Sequence, residues 1–195
     1  RLRKDLFANL DTLRYGGDSL PQGDVWKADR LLSGEGATLT VTTEQLKKRL
    51  EEEHVLVENH PYLKDALLIS KYDYLESLET FREGLFVVQD ISSMLVGELA
   101  HVQAGAQVID LCAAPGGKAL DVAERILMEG QAGCSGHVEA RDLTEYKVSL
   151  IEENIERMGL CNVTAVCQDA SVYDEKSAGK ADIVIADLPC SGLMR

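Results

Sequence analysis

Two apolar patterns alternate along the second half of the chain. Short runs rich in valine, isoleucine and alanine predict buried strands near residues 107–111, 137–141, 162–167 and 182–187. Apolar residues at helical spacing predict helices near residues 92–101, 118–128 and 144–158. Because strands that alternate with helices are typical of a parallel sheet covered by helices, the pattern predicts an α/β fold with a doubly wound sheet.

The first half of the chain has a less regular pattern. Residues 1–36 predict a helical segment followed by a linker rich in glycine and charge. Residues 37–84 carry a helix signal over Gln45–Glu53, capped by Thr42, Thr43 and Glu44, and two short strand signals, so we expect a small α+β module there. Residues 85–195 form the predicted core. About four strands are predicted in that core, which leaves its sheet incomplete and with an exposed edge.

The clearest chemical signal lies between Val108 and Lys118, in the sequence VIDLCAAPGGK. An apolar strand ends there in small residues, Pro115 and two glycines, and a helix-competent stretch follows at once. Since Gly116 and Gly117 lack a Cβ, the backbone can approach a ligand closely, and the first N–H groups of the helix attract a carboxylate or phosphate. Neither the dinucleotide pattern G-x-G-x-x-G nor the P-loop pattern is present. A tight turn without a ligand stays open as the alternative.

Three segments in a fixed order carry a family resemblance. They are FREGLFVVQDISS at 81–93, DLCAAPGGK at 110–118 and DLPCSG at 187–192. Together they resemble the Nol/Nop/Sun family of RNA cytosine-5 methyltransferases, and most closely its bacterial small-subunit ribosomal RNA enzymes. The resemblance implies a class I, Rossmann-like methyltransferase fold that binds S-adenosylmethionine. It also implies ribosomal RNA as the partner, with a cytosine that is single-stranded or flipped out of its stack.

The cofactor site is expected at the carboxyl ends of the strands, where open α/β sheets bind ligands. The resemblance assigns cofactor binding to Cys112, Ala113, Ala114, Pro115, Gly116, Gly117 and Lys118. It implies that Asp142 accepts hydrogen bonds from both ribose hydroxyls, although Glu139 competes for this role because strand ends are uncertain by a residue or two. Asp169 is implied to accept the adenine amino group, the alternative being a helix N-cap. Asp187, at the end of the last predicted strand, completes a set of carboxylates that suits a cationic sulfonium compound.

The chemistry of cytosine gives the last motif a further role. Carbon 5 is a weak nucleophile, and enzymes activate it by adding a thiolate to carbon 6. The resemblance assigns Asp187 to ring nitrogen 3 and Cys190 to release of the adduct. Lys118 can reach the cofactor carboxylate or Asp187, and a plain surface lysine is the alternative. The attacking cysteine of the family lies in a Thr-Cys motif that the 195 residues do not contain, so we expect this chain alone to lack catalytic competence.

Charge and composition limit the expected partners. The formal net charge is −13, and the basic run Lys47–Arg49 is followed at once by Glu51–Glu53. Because RNA affinity normally depends on lysine and arginine near phosphates, we expect the RNA-binding surface to lie largely outside these residues; no RNA binding at all is the alternative. No apolar run approaches the length of a membrane span and no secretory signal is visible, which predicts a cytoplasmic protein without a membrane partner. The five cysteines form no C-x-x-C pair, so no metal site is expected.

Two other functions stay open at this point. One keeps the fold but not the chemistry, as a catalytically incomplete S-adenosylmethionine-binding module that acts as a binding partner on ribosomal RNA. The other is a nucleotide-dependent enzyme of another class, such as an oxidoreductase, which the missing dinucleotide pattern disfavours.

Overall fold

The structure of the protein is a computed structural model that describes residues 41–61, 63, 66–129 and 136–188, and the backbone of 24–27. Its first sheet contains four antiparallel strands: β1 (Asp24–Lys27), β2 (Leu56–Asn59), β3 (Ala66–Ser70) and β4 (Phe86–Val88). Their order across the sheet is β2-β3-β1-β4. Three helices accompany this sheet: α1 (Thr43–Glu52), a short 3-10 helix (Leu75–Ser77) and α2 (Glu79–Arg82).

Helix α1 begins at Thr43, two residues before the predicted start at Gln45, and Thr42 is its N-cap. The Thr42 hydroxyl accepts a hydrogen bond from the Gln45 backbone at 3.2 Å, and the Gln45 side chain accepts one from the Thr42 backbone at 2.8 Å. This reciprocal capping box satisfies two N–H groups that the helix itself leaves free. Leu46 and Leu50, one turn apart, are fully buried against the sheet, so the helix is fixed by its apolar face.

The first sheet includes residues from both sides of the predicted module 37–84. Strand β1 lies within the segment 1–36, in the part predicted to be a linker, and pairs with both β3 and β4. Strand β4 lies beyond residue 84 but belongs to the same sheet. A strand of four residues gives too little alternation to be recognised by itself, and its state depends on its two neighbours. The predicted helical segment before β1 lies outside the described residues.

The second sheet confirms the predicted parallel α/β architecture. Its strands are β5 (Gln107–Asp110), β6 (His137–Asp142), β7 (Val163–Cys167) and β8 (Ile183–Ile185). They pair in parallel in the order β7-β6-β5-β8. The helices of this half are α3 (Ile91–Ala100), α4 (Gly117–Glu129) and α5 (Glu145–Met158). None of the described helices is both long and apolar enough to cross a membrane.

The two halves contact each other at the end of α5. Arg157 donates hydrogen bonds at 3.0 Å to the carbonyl oxygens of Phe81 and Phe86, and its guanidinium lies 4.1 Å from the centre of the Phe81 ring. Gly84, with φ of +67°, packs directly against the backbone of Arg157 and Met158. The chain that leads from the first sheet into α3 is therefore anchored on the second half.

Parallel strands place all their carboxyl ends on one edge of the sheet. Strands β5, β6 and β8 end there at Asp110, Asp142 and Ile185. The register pairs Asp110 with both Ala140 and Ile185, so these strand ends are direct neighbours. The residues that follow them form the candidate site.

Candidate active site

A cavity of about 240 Å³ lies at the carboxyl edge of the second sheet. Two chain segments line it: residues 88–93, where β4 passes into α3, and residues 110–118, where β5 passes into α4. Asp187, just after β8, completes the lining. The structure thus brings Cys112, Ala113, Ala114, Pro115, Gly117, Lys118 and Asp187 together around one space.

The glycine-rich turn has the geometry that its sequence requires. Gly116 has a φ of +114°, and a Cβ at this position would lie 3.1 Å from the Leu120 side chain. Two short backbone hydrogen bonds hold the turn, from the Ala113 N–H to the Arg141 carbonyl at 2.8 Å and from the Gly116 N–H to the Ala113 carbonyl at 2.6 Å. Helix α4 then begins at Gly117, and its first N–H groups face the cavity region, as in anion-binding helix termini.

Asp142 lies beside this turn and fixes it. Its Oδ2 accepts from the Ala114 N–H at 3.0 Å, and its Oδ1 accepts from the Leu143 N–H at 2.8 Å and from the Lys147 ammonium at 3.0 Å. Burial alone would raise the pKa of Asp142, but the hydrogen bonds from Lys147 and the two amides outweigh it and hold that pKa below its usual range. The Asp142 carboxylate is therefore ionised, and its hydrogen bond from the Ala114 N–H stabilises the turn.

The strand alternation decides between Asp142 and Glu139. Glu139 projects from the other face of β6, where it pairs with Arg141 and lines a separate groove. It does not line the cavity beside the glycine-rich turn. Of the two candidates, Asp142 is the one that contacts the turn.

Lys118 and Asp187 form an ion pair at the mouth of the cavity. The Lys118 Nζ lies 2.7 Å from Asp187 Oδ2, with 20% of the lysine side chain and 61% of the aspartate side chain exposed. Of the partners that the sequence left open for Lys118, the structure shows Asp187. Cys190 and Pro189, which follow Asp187 in the last motif, lie outside the described residues.

Asp169 is placed differently from the expectation. Its carboxylate accepts hydrogen bonds from the Ser171 backbone at 2.8 Å and the Ser171 hydroxyl at 2.7 Å, and it does not line the cavity. The alternative, a helix N-cap, is wrong because residues 170–182 form turns and no helix. Asp169 closes a local side-chain turn after β7, which is what an aspartate does when no helix follows.

Sequence reasoning missed two polar residues that line the cavity. Asp110 is 1% exposed; its Oδ1 accepts from the Cys112 N–H at 3.3 Å, while its Oδ2 has no partner among the described residues. Burial raises the pKa of Asp110 to about 6. Gln89 is 8% exposed, and neither atom of its amide has a partner in that part of the chain. The signal for Asp110 was present, since an acid interrupts an otherwise apolar strand.

Cys112 contacts the same cavity but is a poor candidate for a nucleophile. Burial and the nearby carboxylates of Asp142 and Asp110 raise the pKa of its thiol. A raised pKa keeps the sulfur protonated, whereas the reactive species is the thiolate. We therefore assign Cys112 to the wall of the cavity.

Much of the basic charge in the described residues is offset locally. Ion pairs with neighbouring acids involve Lys48, Arg49, Lys118, Arg125, Arg141 and Lys147. Such pairs leave less positive potential for phosphates. Within the described ranges, no group of three or more histidine, cysteine or acidic side chains is arranged to hold a metal ion.

The sheet order, the glycine-rich turn after β5 and the acidic residue at the end of β6 define a class I methyltransferase fold. A solved structure described as PH0851 matches 92% of this chain, and 38% of its own length, with a TM-score of 0.74 and 25% identity. The structure of NSun6 from Pyrococcus horikoshii with SFG matches 87% of this chain and 63% of its own length, with a TM-score of 0.67 and 18% identity. At that identity the second likeness supports the fold alone.

Within this class the family can be stated. Residues 98–194 match the model of the family described as 16S rRNA methyltransferase RsmB/F, and this part of the chain belongs to that family. A relative from Bacillus subtilis, named probable ribosomal RNA small subunit methyltransferase B, is 34% identical over 149 residues, or 76% of this chain. The ribosomal RNA small subunit methyltransferase B of Yersinia pestis is 32% identical over 142 residues, or 73% of this chain. The chain spans about a third of the length of these relatives, 32% in each case.

Proposed function

We propose that the protein transfers a methyl group from S-adenosylmethionine to carbon 5 of a cytosine in ribosomal RNA. The observation that carries the proposal is the Cys112–Lys118 turn, held by Asp142 at the carboxyl edge of a parallel sheet. The names of the relatives, which are ribosomal RNA methyltransferases, support the substrate class. Since ribosomal RNA is made and matured in the bacterial cytoplasm, that is the compartment we assign.

The residues of the cavity fit the cofactor. S-adenosylmethionine supplies an electrophilic methyl group on a sulfonium, together with a ribose, an adenine and an amino-acid end. The buried Asp110 Oδ2, which has no hydrogen-bond partner among the described residues, supports a polar ligand in this cavity. Asp142, which holds the turn beside the cavity, is assigned to the ribose hydroxyls, and Asp169, which lies outside the cavity, is assigned to the adenine amino group.

Asp187 is assigned to the target base. As the base is attacked at carbon 6, negative charge develops on the ring, and Asp187 passes a proton from the Lys118 ammonium to ring nitrogen 3, which neutralises that charge. Lys118, at 2.7 Å, holds the Asp187 carboxylate at the edge of the cavity before the base arrives. Cys190 follows three positions later and is assigned to release of the adduct.

A second candidate function keeps the cofactor site but not the transfer. In it, the protein binds S-adenosylmethionine and acts as a binding partner on ribosomal RNA without transferring a methyl group. The two functions make the same prediction for cofactor binding and opposite predictions for turnover.

Turnover is tested with small-subunit RNA that lacks methylation. The protein expressed from its complete reading frame is incubated with this RNA and S-adenosylmethionine that carries a labelled methyl group. We expect the label in 5-methylcytidine after digestion of the RNA to nucleosides and mass spectrometry. Label in a different nucleoside contradicts the assignment to cytosine carbon 5, and cofactor binding without any label supports the binding module.

Asp142→Asn is expected to weaken binding of S-adenosylhomocysteine about tenfold, or about 1.4 kcal/mol. The amide can still accept one backbone hydrogen bond, but it cannot accept from both ribose hydroxyls. Isothermal titration calorimetry measures the affinity, and thermal unfolding checks that the variant folds.

Lys147→Met is the matched control for this substitution. It removes the ammonium that lies 3.0 Å from Asp142 Oδ1 but leaves the carboxylate in place. The Lys147 side chain is 48% exposed. We expect its affinity to equal or exceed that of the wild type, because a position on the carboxylate becomes free for the ribose. Equal affinities for Asp142→Asn and the wild type would remove Asp142 from the ribose site.

A further inference from the structure

Two buried polar side chains in the cavity are unsatisfied by the described protein. Both amide atoms of Gln89 and the Oδ2 of Asp110 have no hydrogen-bond partner there, although the two residues are only 8% and 1% exposed. A buried amide or carboxylate without a partner lowers stability, and native proteins satisfy most such groups. The retention of two of them in one cavity points to a ligand that supplies the partners.

The surrounding polar groups of the same segment are already satisfied. Asp90 caps helix α3, where its carboxylate accepts from the Ser93 N–H at 3.0 Å and from the Ser92 and Ser93 hydroxyls. Gln89 stands apart from this network. Its Cδ and Nε2 lie 3.5 Å from the position of a Cβ built on Gly117, so the amide packs against the first residue of α4.

The charged and polar groups around Gln89 indicate which chemical group of a ligand fits the cavity. The N–H groups at the start of α4 attract an anion, and Asp110, which lines the same cavity, attracts a cation. Lys118 is engaged by Asp187 at 2.7 Å, so the Gln89 amide is the neutral donor that remains near the start of the helix. A carboxylate and an ammonium on one carbon atom, as in the end of an α-amino acid, match this arrangement.

We propose that Gln89 binds the α-amino-acid end of the methyl donor. Its Nε2 donates to the carboxylate of that end, and Asp110 Oδ2 accepts from its ammonium. This assignment rests on the proposed function, and it adds the group that selects for a donor with an intact amino-acid end. The expected consequence is that Gln89 discriminates between S-adenosylhomocysteine and 5′-methylthioadenosine, which carries the same adenosine but no amino-acid end.

The test compares these two compounds by isothermal titration calorimetry. Gln89→Leu keeps the side-chain size and removes both amide atoms, and we expect it to weaken S-adenosylhomocysteine binding about tenfold while 5′-methylthioadenosine binding changes less than about twofold. We also expect its unfolding temperature to equal or exceed that of the wild type, because an unsatisfied buried amide is replaced by an apolar group. Gln103→Leu makes the same change at an exposed glutamine and serves as the control.

Each outcome decides one of the two proposals. Equal losses for both compounds, or no loss for either, overturn the role of Gln89, as does a lower unfolding temperature with unchanged selectivity, which indicates a purely structural amide. Wild-type protein that binds neither compound overturns the proposed function, and the role of Gln89 with it. Selective loss of S-adenosylhomocysteine in Gln89→Leu but not in Gln103→Leu supports the assignment.

Discussion

Gly84→Ala is expected to lower the free energy of unfolding by about 4 kcal/mol or more, which is at the upper end of single substitutions. A Cβ at this position would lie 2.0 Å from the carbonyl oxygen of Arg157, 2.7 Å from its carbonyl carbon and 3.0 Å from the Met158 Cα. All three are backbone atoms at the end of α5, so no side-chain rotation relieves the overlap. The φ of +67° adds the strain that an L-residue carries in the left-handed region.

Gly179→Ala separates the overlap from the backbone strain. Gly179 has nearly the same φ, +70°, but a Cβ built there meets nothing within 4 Å. Its replacement is expected to cost only the strain of about 1–2 kcal/mol. Urea unfolding followed by circular dichroism gives both values. If the two variants differ by less than about 0.5 kcal/mol, which is the ordinary range of surface changes, the close contact between the first half and α5 is not present in solution.

The parts of the fold that depend on local signals were predictable. The run Val108–Lys118 contains its own strand, turn and helix start, and Thr42 with Gln45 contains its own cap. The parallel pairing of β5, β6 and β7 follows because right-handed crossovers leave few other arrangements for alternating strands and helices. The strand-turn-helix run and the helix cap are each encoded within a short stretch of neighbouring residues.

The parts that depend on distant partners were not predictable. Strand β1 forms because it pairs with β3 and β4, and a run of four residues gives no sequence signal for that pairing. Asp142 ends β6 and Asp169 follows β7, but only Asp142 reaches the turn, where it accepts a hydrogen bond from the Ala114 N–H at 3.0 Å. The same limit applies to Gln89, since nothing in its local sequence shows that both atoms of its amide are buried beside Gly117.

Asp110→Asn is expected to change the pH dependence of stability by about 3 kcal/mol. Burial raises the pKa of Asp110 from its ordinary 3.8 to about 6; Lys118 lowers this pKa, while Asp187 and Asp142 raise it. Between about pH 4 and pH 6 the folded protein therefore holds a proton that the unfolded chain has released. The contribution of Asp110 to stability consequently falls as the pH rises through this window and is constant above it.

Asparagine cannot titrate, so the variant lacks this contribution. The free energy of unfolding of Asp110→Asn minus that of the wild type should rise by about 3 kcal/mol between pH 3.5 and pH 7.5, and then stay level. Urea titrations at a series of pH values measure it, with Asp73→Asn, which removes an exposed carboxylate, as the control for loss of one negative charge. A difference that stays flat or falls over the window would mean that Asp110 is hydrated or paired in solution. A rise confined to Asp110→Asn would instead show that the ionised Asp110 carboxylate is buried in the cavity and lowers the stability of the protein above about pH 6. A cationic ligand that pairs with this carboxylate would remove that loss of stability.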